Sequence, residues 1–185
     1  MIIGYQGEIG SYSYNSLRKF LKNKYEKIIG YHSFKEIFIA LKNKEITHGY
    51  IPIENTIGGK INENINYIKE YKIDILEKYK FKINHCLLSQ KGVNKNDINI
   101  VISHWQALAQ CSDYLSNNNY VCKEFFDTSG ACKNIQNKNL NNTGAIASKE
   151  CSKIYDLKII DENIQNNDNN YTTFYLVKNI LMDQQ

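Results

Sequence analysis

The sequence predicts an α/β protein folded as two lobes, and three observations carry that prediction. Short apolar runs alternate with stretches of helical periodicity along the chain. Polar, glycine-containing segments stand at the ends of the expected strands or the starts of helices, where α/β folds place ligand sites. The run over 73–88 alternates apolar residues with lysines and is longer than one compact sheet needs, so it reads as a strand leaving one lobe and entering another. The expected lobes are about 1–76 plus 165–185, and about 77–164, with 81–157 inside the second.

Strands are expected at 2–5, 28–31, 49–53, 81–88, 98–102, 120–125, 144–147 and 174–177, the last returning to the first lobe from about Tyr171. Ser33-Phe34-Lys35-Glu36 reads as a capping box, and Phe34, Ile37, Phe38 and Leu41 then fall on one helix face, which is core. Ile61, Ile65 and Ile68 repeat at helical spacing through Tyr71, and further helices are expected at 105–115, 129–136 and 149–155. Asparagine clusters at 117–119, 137–142 and 163–170 mark loops.

Composition narrows the function. At 185 residues and net charge +4, with lysines scattered singly, the chain can bury a core and offers no nucleic-acid groove. Arg18 is the only arginine, part of a drift toward Ile, Lys, Asn and Tyr. Five cysteines without a C-x-x-C pair or zinc spacing predict buried free thiols in a reducing compartment. No apolar stretch approaches the roughly 20 residues of a membrane span, and the N-terminus has no leader pattern, so a soluble cytoplasmic protein is expected.

Five polar segments are candidates for chemistry. Gly7-Glu8-Ile9-Gly10-Ser11-Tyr12-Ser13 reads as a glycine turn with a serine cap. In the stretch from Ile51 to Ile61, which holds the only proline, an apolar run stops at Glu54, Asn55 and Thr56 before Gly58-Gly59 turns toward a helix pattern. Free N–H groups at a helix start suit a small anion, and a plain capped turn reads the same residues equally well. Ser103 closes a strand, with His104 and Gln106 near a helix start as ligand groups or caps. Asp127-Thr128-Ser129-Gly130 is a hydroxyl-capped helix start whose small residues suit close approach of a ligand or of another element. Asn170-Tyr171-Thr172-Thr173-Phe174 brings hydroxyls into the last strand, for which β-propensity alone is sufficient reason.

Taken in order, Gly-x-x-Gly-x-Tyr-Ser, Pro-Ile-Glu-Asn-Thr-x-Gly-Gly, His85-Cys86-Leu87-Leu88, Ser-His-x-Gln-Ala-Leu-Ala-Gln-Cys, Asp-Thr-x-Gly-Ala, Gly144-Ala145-Ile146-Ala147-Ser148 and Asn-x-Thr-x-Phe resemble the catalytic domain of prephenate dehydratase over residues 1–178. Asp-Thr-x-Gly-Ala with Gly-Gly also resembles the arogenate dehydratases of that family. The resemblance implies a two-lobed fold like the type II periplasmic binding proteins, with the active site in the cleft between lobes. It implies loss of carbon dioxide and the ring hydroxyl from prephenate to give phenylpyruvate in phenylalanine biosynthesis, without metal or organic cofactor. Thr172 matches the family's proton donor. Asn55, Thr56 and Thr128 match pocket positions, and the N–H groups of Gly58 and Gly59 are expected to take a carboxylate. Ser103, Gln106, Ser129, Thr173 and Phe174 complete the expected substrate-binding set. A homodimer or higher oligomer is implied too, with no ACT regulatory domain and hence no phenylalanine inhibition through one.

Three departures stand out: Thr173 where the family has arginine, Trp105 where it has proline, and Lys60 where it has serine. Losing a charge-assisted carboxylate contact costs about 2–5 kcal/mol. Lys60 either supplies the missing charge to a substrate carboxylate, as a point charge rather than a fork, or points into solvent like most lysines of the chain. The other readings are a non-aromatising prephenate decarboxylase, an arogenate dehydratase, and an inactive module binding a small carboxylate.

Overall fold

A computed structural model of the chain describes residues 1–22 and 24–179. In chain order the elements are β1 (Ile2–Gln6), α1 (Tyr12–Leu21), β2 (Lys27–Tyr31), α2 (Phe34–Lys42), β3 (His48–Asn55), β4 (Gly59–Lys60), α3 (Asn62–Glu70), β5 (Ile73–Lys82), β6 (Cys86–Ser89), β7 (Ile100–Ser103), α4 (Trp105–Gln110), α5 (Ser112–Asn117), β8 (Val121–Glu124), α6 (Thr128–Lys138), β9 (Thr143–Ala147), α7 (Glu150–Ile154), β10 (Lys158–Glu162) and β11 (Tyr171–Asn179). Among the described residues, no helix is long and apolar enough to cross a membrane.

The chain divides into two compact units. Unit 1 takes Met1–Gly7, Tyr12–Lys82 and the chain from Asn169; unit 2 takes Glu8–Ser11 and Ile83–Asp168. The expected boundary near residue 76 thus falls at Lys82, because β5 pairs with β11 along its whole length, from Ile73↔Asn179 to Lys82↔Tyr171. The expected strand over 81–88 is accordingly broken, with β5 ending at Lys82 and β6 starting at Cys86. The terminal stretch 180–185, assigned to the first lobe from sequence, lies outside the described residues.

In unit 1 the sheet runs β2-β1-β3-β11-β5, with β4 folded back on β3. Strands β2, β1 and β3 are parallel, while β11 inserts antiparallel between β3 and β5. Pro52 is tolerated in this inner strand because β1 pairs with β3 only as far as Tyr50, and a bulge against β11 leaves Ile53 without a counterpart. One sheet face packs on α1 through Ile3, Leu17, Tyr50, Phe174 and Leu176. Tyr50 stacks on Phe174 at 4.9 Å, and its hydroxyl lies 2.7 Å from Ser16 Oγ, so the buried phenol is satisfied. The opposite face packs on α2 and α3 through Ile37, Phe38, Leu41, Ile51 and Val177. Ser33 caps α2 as expected, its Oγ accepting from Glu36 N at 3.3 Å.

Unit 2 has a sheet of order β10-β6-β9-β7-β8, in which β9 is buried throughout and α6 packs on it. The helix expected over 105–115 breaks at Cys111 into α4 and α5. The break is where Asn166 inserts: its N–H donates to Gln110 O at 2.8 Å, and its side-chain carbonyl accepts from Asp113 N at 3.2 Å. Asparagines 119, 139 and 163 adopt the left-handed conformation that their loop clusters anticipate. Elements absent from the sequence reading are α1, β4 and β10. Four cysteines are buried free thiols; Cys122, against expectation, is exposed, on edge strand β8.

Candidate functional site

The stretch after β3 forms a tight hairpin, where a strand-to-helix turn was expected. Asn55 Oδ1 accepts from Ile57 N at 2.9 Å and Gly58 N at 2.8 Å, an Asx turn that sends the chain back as β4. Gly59, at φ +77°, supplies the left-handed residue this needs. Helix α3 starts only at Asn62, with no side-chain cap. The Gly58 N–H expected to take a carboxylate is therefore already satisfied within the turn.

Asn55 is directly opposite Thr172 in the β3–β11 register. Its Nδ2 donates to Thr172 Oγ1 at 3.0 Å, to Asn170 Oδ1 at 2.8 Å and to Tyr171 O at 3.2 Å. Thr56 locks the same corner: its hydroxyl donates to Asn169 O at 2.6 Å and accepts from Tyr171 N at 2.9 Å, while its own N–H donates to Tyr171 O. That hydroxyl, expected in the substrate set, is engaged at both ends by the backbone. Phe174, also expected there, is 1% exposed and belongs to the core.

Cross-strand registers sort the remaining unit 1 positions into two rows. Gly59, Asn55, Thr172 and Phe81 are mutually opposite, and so are Lys60, Glu54, Thr173 and Lys80. Directly paired residues share a face and successive residues alternate. Thr172 therefore shares the α1 face with Phe174, whereas Thr173 shares the α2 and α3 face with Tyr175. The structure brings Asn55 and Thr172 together. It does not bring Thr173 or Lys60 to that face; Lys60 is exposed and stands opposite Glu54. A side chain at 173 leaves β11 on the face opposite Thr172.

In unit 2, Ser103 is fully buried and its Oγ donates to Ile146 O at 2.6 Å, tying β7 to β9. Ser129 is likewise buried, its hydroxyl 3.4 Å from Asp127 Oδ1. Both expected ligand hydroxyls are thus spent inside the unit. Thr128, at the start of α6, has no hydrogen-bond partner for its hydroxyl among the described residues, and Gln106 is half-buried behind the cap that His104 Nδ1 makes to Gln106 N. Burial lowers the His104 pKa below the ordinary imidazole value, with Asp127 and Glu124 opposing.

Two structural centres were not singled out from sequence. Asp127, a buried N-cap, accepts from Gly130 N and, at 3.3 Å, from Glu8 N. With Lys133 paired to Glu8, Tyr155 OH donating to Ile9 O and Ser148 Oγ to Gly10 O, it fastens the Glu8–Ser11 loop within unit 2. His85 is 2% exposed with Nε2 2.8 Å from Gln110 Oε1, and burial pushes its pKa down, so it is neutral. Asn170, wholly buried beside Asn55, opens the Asn-x-Thr-x-Phe motif two residues before Thr172, and that place is the sequence signal for it.

The comparisons agree with this architecture. A family model described as prephenate dehydratase matches residues 3–180. The arogenate dehydratase/prephenate dehydratase 2, chloroplastic, of Arabidopsis thaliana is 35% identical over 175 residues, 95% of this chain and 45% of that protein. The bifunctional chorismate mutase/prephenate dehydratase of Buchnera aphidicola (Acyrthosiphon pisum, strain APS) is 33% identical over 92% of this chain and 45% of its own. The chain thus spans somewhat under half the length of these curated relatives. In fold it is similar to the Arthrobacter aurescens prephenate dehydratase in complex with L-Phe, with TM-score 0.88 and 19% identity over 97% of this chain and 60% of that one. More distantly it is similar to a zinc-bound ligand-binding component of an ABC-type import system from Staphylococcus aureus, with TM-score 0.52 and 14% identity over 100% and 67%. The fold is therefore of the periplasmic-binding-protein kind, and the chain belongs to the prephenate dehydratase family.

Proposed function

We propose that this chain carries out the decarboxylating dehydration of prephenate to phenylpyruvate. The observation that carries the reading is Thr172, a neutral hydroxyl 8% exposed at the start of β11 and held beside Asn55 in a chain of this family. Cleavage of the bond to the ring carboxylate drives its electron pair into the ring and releases carbon dioxide. The ring hydroxyl leaves from the opposite carbon, Thr172 gives it a proton, and it departs as water. Solvent then returns the proton to Thr172. A threonine hydroxyl is a weak acid in bulk water, so its contribution comes from fixed position and restricted water.

Curated relatives named for both arogenate and prephenate support testing both substrates. Purified protein is incubated with each, and products are followed by chromatography. Phenylpyruvate from prephenate is expected; a non-aromatic keto acid, or no turnover of prephenate, refutes the reading. Thr172→Ala is expected to lower kcat by a factor on the order of 10²–10⁴. A homodimer, implied by family resemblance, is checked by sedimentation, where a monomer mass refutes it.

A further inference from the structure

The two hydrogen bonds to Asn55 Oδ1 come from backbone N–H groups of Ile57 and Gly58, which cannot act as acceptors. They fix which end of the carboxamide is oxygen, so Nδ2 is turned toward Asn170 and Thr172. Asn170 Oδ1, wholly buried, receives one Nδ2 hydrogen at 2.8 Å. The other is shared by Tyr171 O and Thr172 Oγ1. Thr172 Oγ1 therefore meets a donor and must accept, so its single proton points away from Asn55. Among the described residues that proton has no acceptor.

We propose that Asn55, held by Asn170 and the turn N–H groups, is a positioning residue that sets the polarity of the Thr172 hydroxyl, keeping its proton available for the substrate's departing hydroxyl. The inference rests on the proposed function for its chemistry and on the hydrogen-bond geometry for its direction. Asn55 here acts through Thr172, beyond any contact it makes with substrate itself.

Asn55→Asp reverses that polarity with little change of shape. One carboxylate oxygen keeps the turn N–H groups; the other is now an acceptor, and the Thr172 proton is drawn to it. At pH 8 kcat is expected to fall on the order of 10²-fold, the low end of a proton donor's contribution. As pH is lowered toward the carboxylate range, the introduced carboxyl group takes up a proton and can donate again, so kcat is expected to recover, a rise absent from the wild type. A kcat equal to wild type, or a loss that is flat with pH, overturns the proposal, because a purely structural role for the turn is kept by aspartate at every pH. Should this variant fail to fold, Asn170→Ala decides instead: it removes the acceptor that holds Asn55 Nδ2 and is expected to lower kcat with KM little changed, and a kcat equal to wild type overturns the proposal.

A wild type that turns over neither prephenate nor arogenate refutes the proposed function, and hydrogen-bond polarity is then read without turnover. In ¹⁵N-edited NMR the Asn55 side-chain amide protons are expected to be protected from exchange, and to lose that protection in Thr172→Val and Asn170→Ala. Unchanged protection in both overturns the positioning role.

Discussion

Thr56 separates a ligand role from a structural one within a single side chain. Its hydroxyl bridges Asn169 O and Tyr171 N, immediately before Thr172 on β11. Thr56→Val keeps the shape and removes both bonds. Net hydrogen-bond contributions of about 0.5–1.5 kcal/mol each give a loss of roughly 1–3 kcal/mol, with water access at this exposed position favouring the low end. For a chain of this size that is a fall of about 2–12 °C in Tm. Thr56→Ser retains both bonds and is expected to stay close to wild type. Urea denaturation gives the stability, and steady-state assays with prephenate give kcat and KM on the same samples. If Thr56→Val leaves the denaturation midpoint unchanged and raises KM tenfold, the hydroxyl serves the substrate and the bridging argument is wrong. A loss of stability with KM held within about twofold is the expected result.

Lys60→Ser is expected to leave KM and kcat for prephenate within about twofold, since Lys60 shares the Thr173 row and is exposed; a tenfold rise in KM would restore Lys60 as the substitute for the absent arginine. Gly30→Ala places a Cβ 2.6 Å from the Gly7 carbonyl oxygen, a backbone atom that cannot swing aside, so thermal denaturation is expected to register about 1–3 kcal/mol of destabilisation. Burial holds the pKa values of His85, His48 and His104 below the ordinary imidazole value. The unfolded chain then binds more protons than the folded one below about pH 6.5, so their contribution is complete above that pH and is lost as pH falls through it. Denaturant midpoints measured from pH 8 to pH 5 should decline, and His85→Gln should flatten part of the slope; a midpoint that rises on acidification contradicts the assignment.

The α/β class and most strands were legible because period-two and helical patterns depend on burial alone, as in β11 and α2. Elements that escaped have weak patterns. Helix α1 carries two tyrosines, two serines and an asparagine before its apolar residues, and β4 is two residues long. The lobe boundary was misplaced because β5 and β6 form one continuous run in sequence, and only pairing with β11 shows where the first sheet ends. Among site residues, the type of side chain was legible and its engagement was not. Ser103, Thr56 and the Gly58 N–H look available in a sequence, yet each is committed to a partner distant in the chain or to a turn formed only on folding.

Register also changes the meaning of two of the motif departures, Thr173 and Lys60. In the sequence Thr172 and Thr173 are neighbours, so loss of an arginine beside the expected proton donor reads as damage to the donor's own pocket. In the sheet they leave opposite faces, and position 173 stands in a row with Lys60, Glu54 and Lys80. An arginine there would be directly opposite Glu54 on β3, an exposed cross-strand pair of the kind that contributes about 0.2–1 kcal/mol. Its replacement by threonine is then a modest change in sheet electrostatics, with Lys60 already facing Glu54 from β4. The Asn55–Thr172 pair lies on the other face and does not feel the exchange directly. On this geometry, restoring Thr173→Arg should alter stability by no more than about 1 kcal/mol and leave kcat within about twofold. A tenfold gain in kcat/KM for prephenate would instead place the guanidinium on the substrate and refute the assignment of faces.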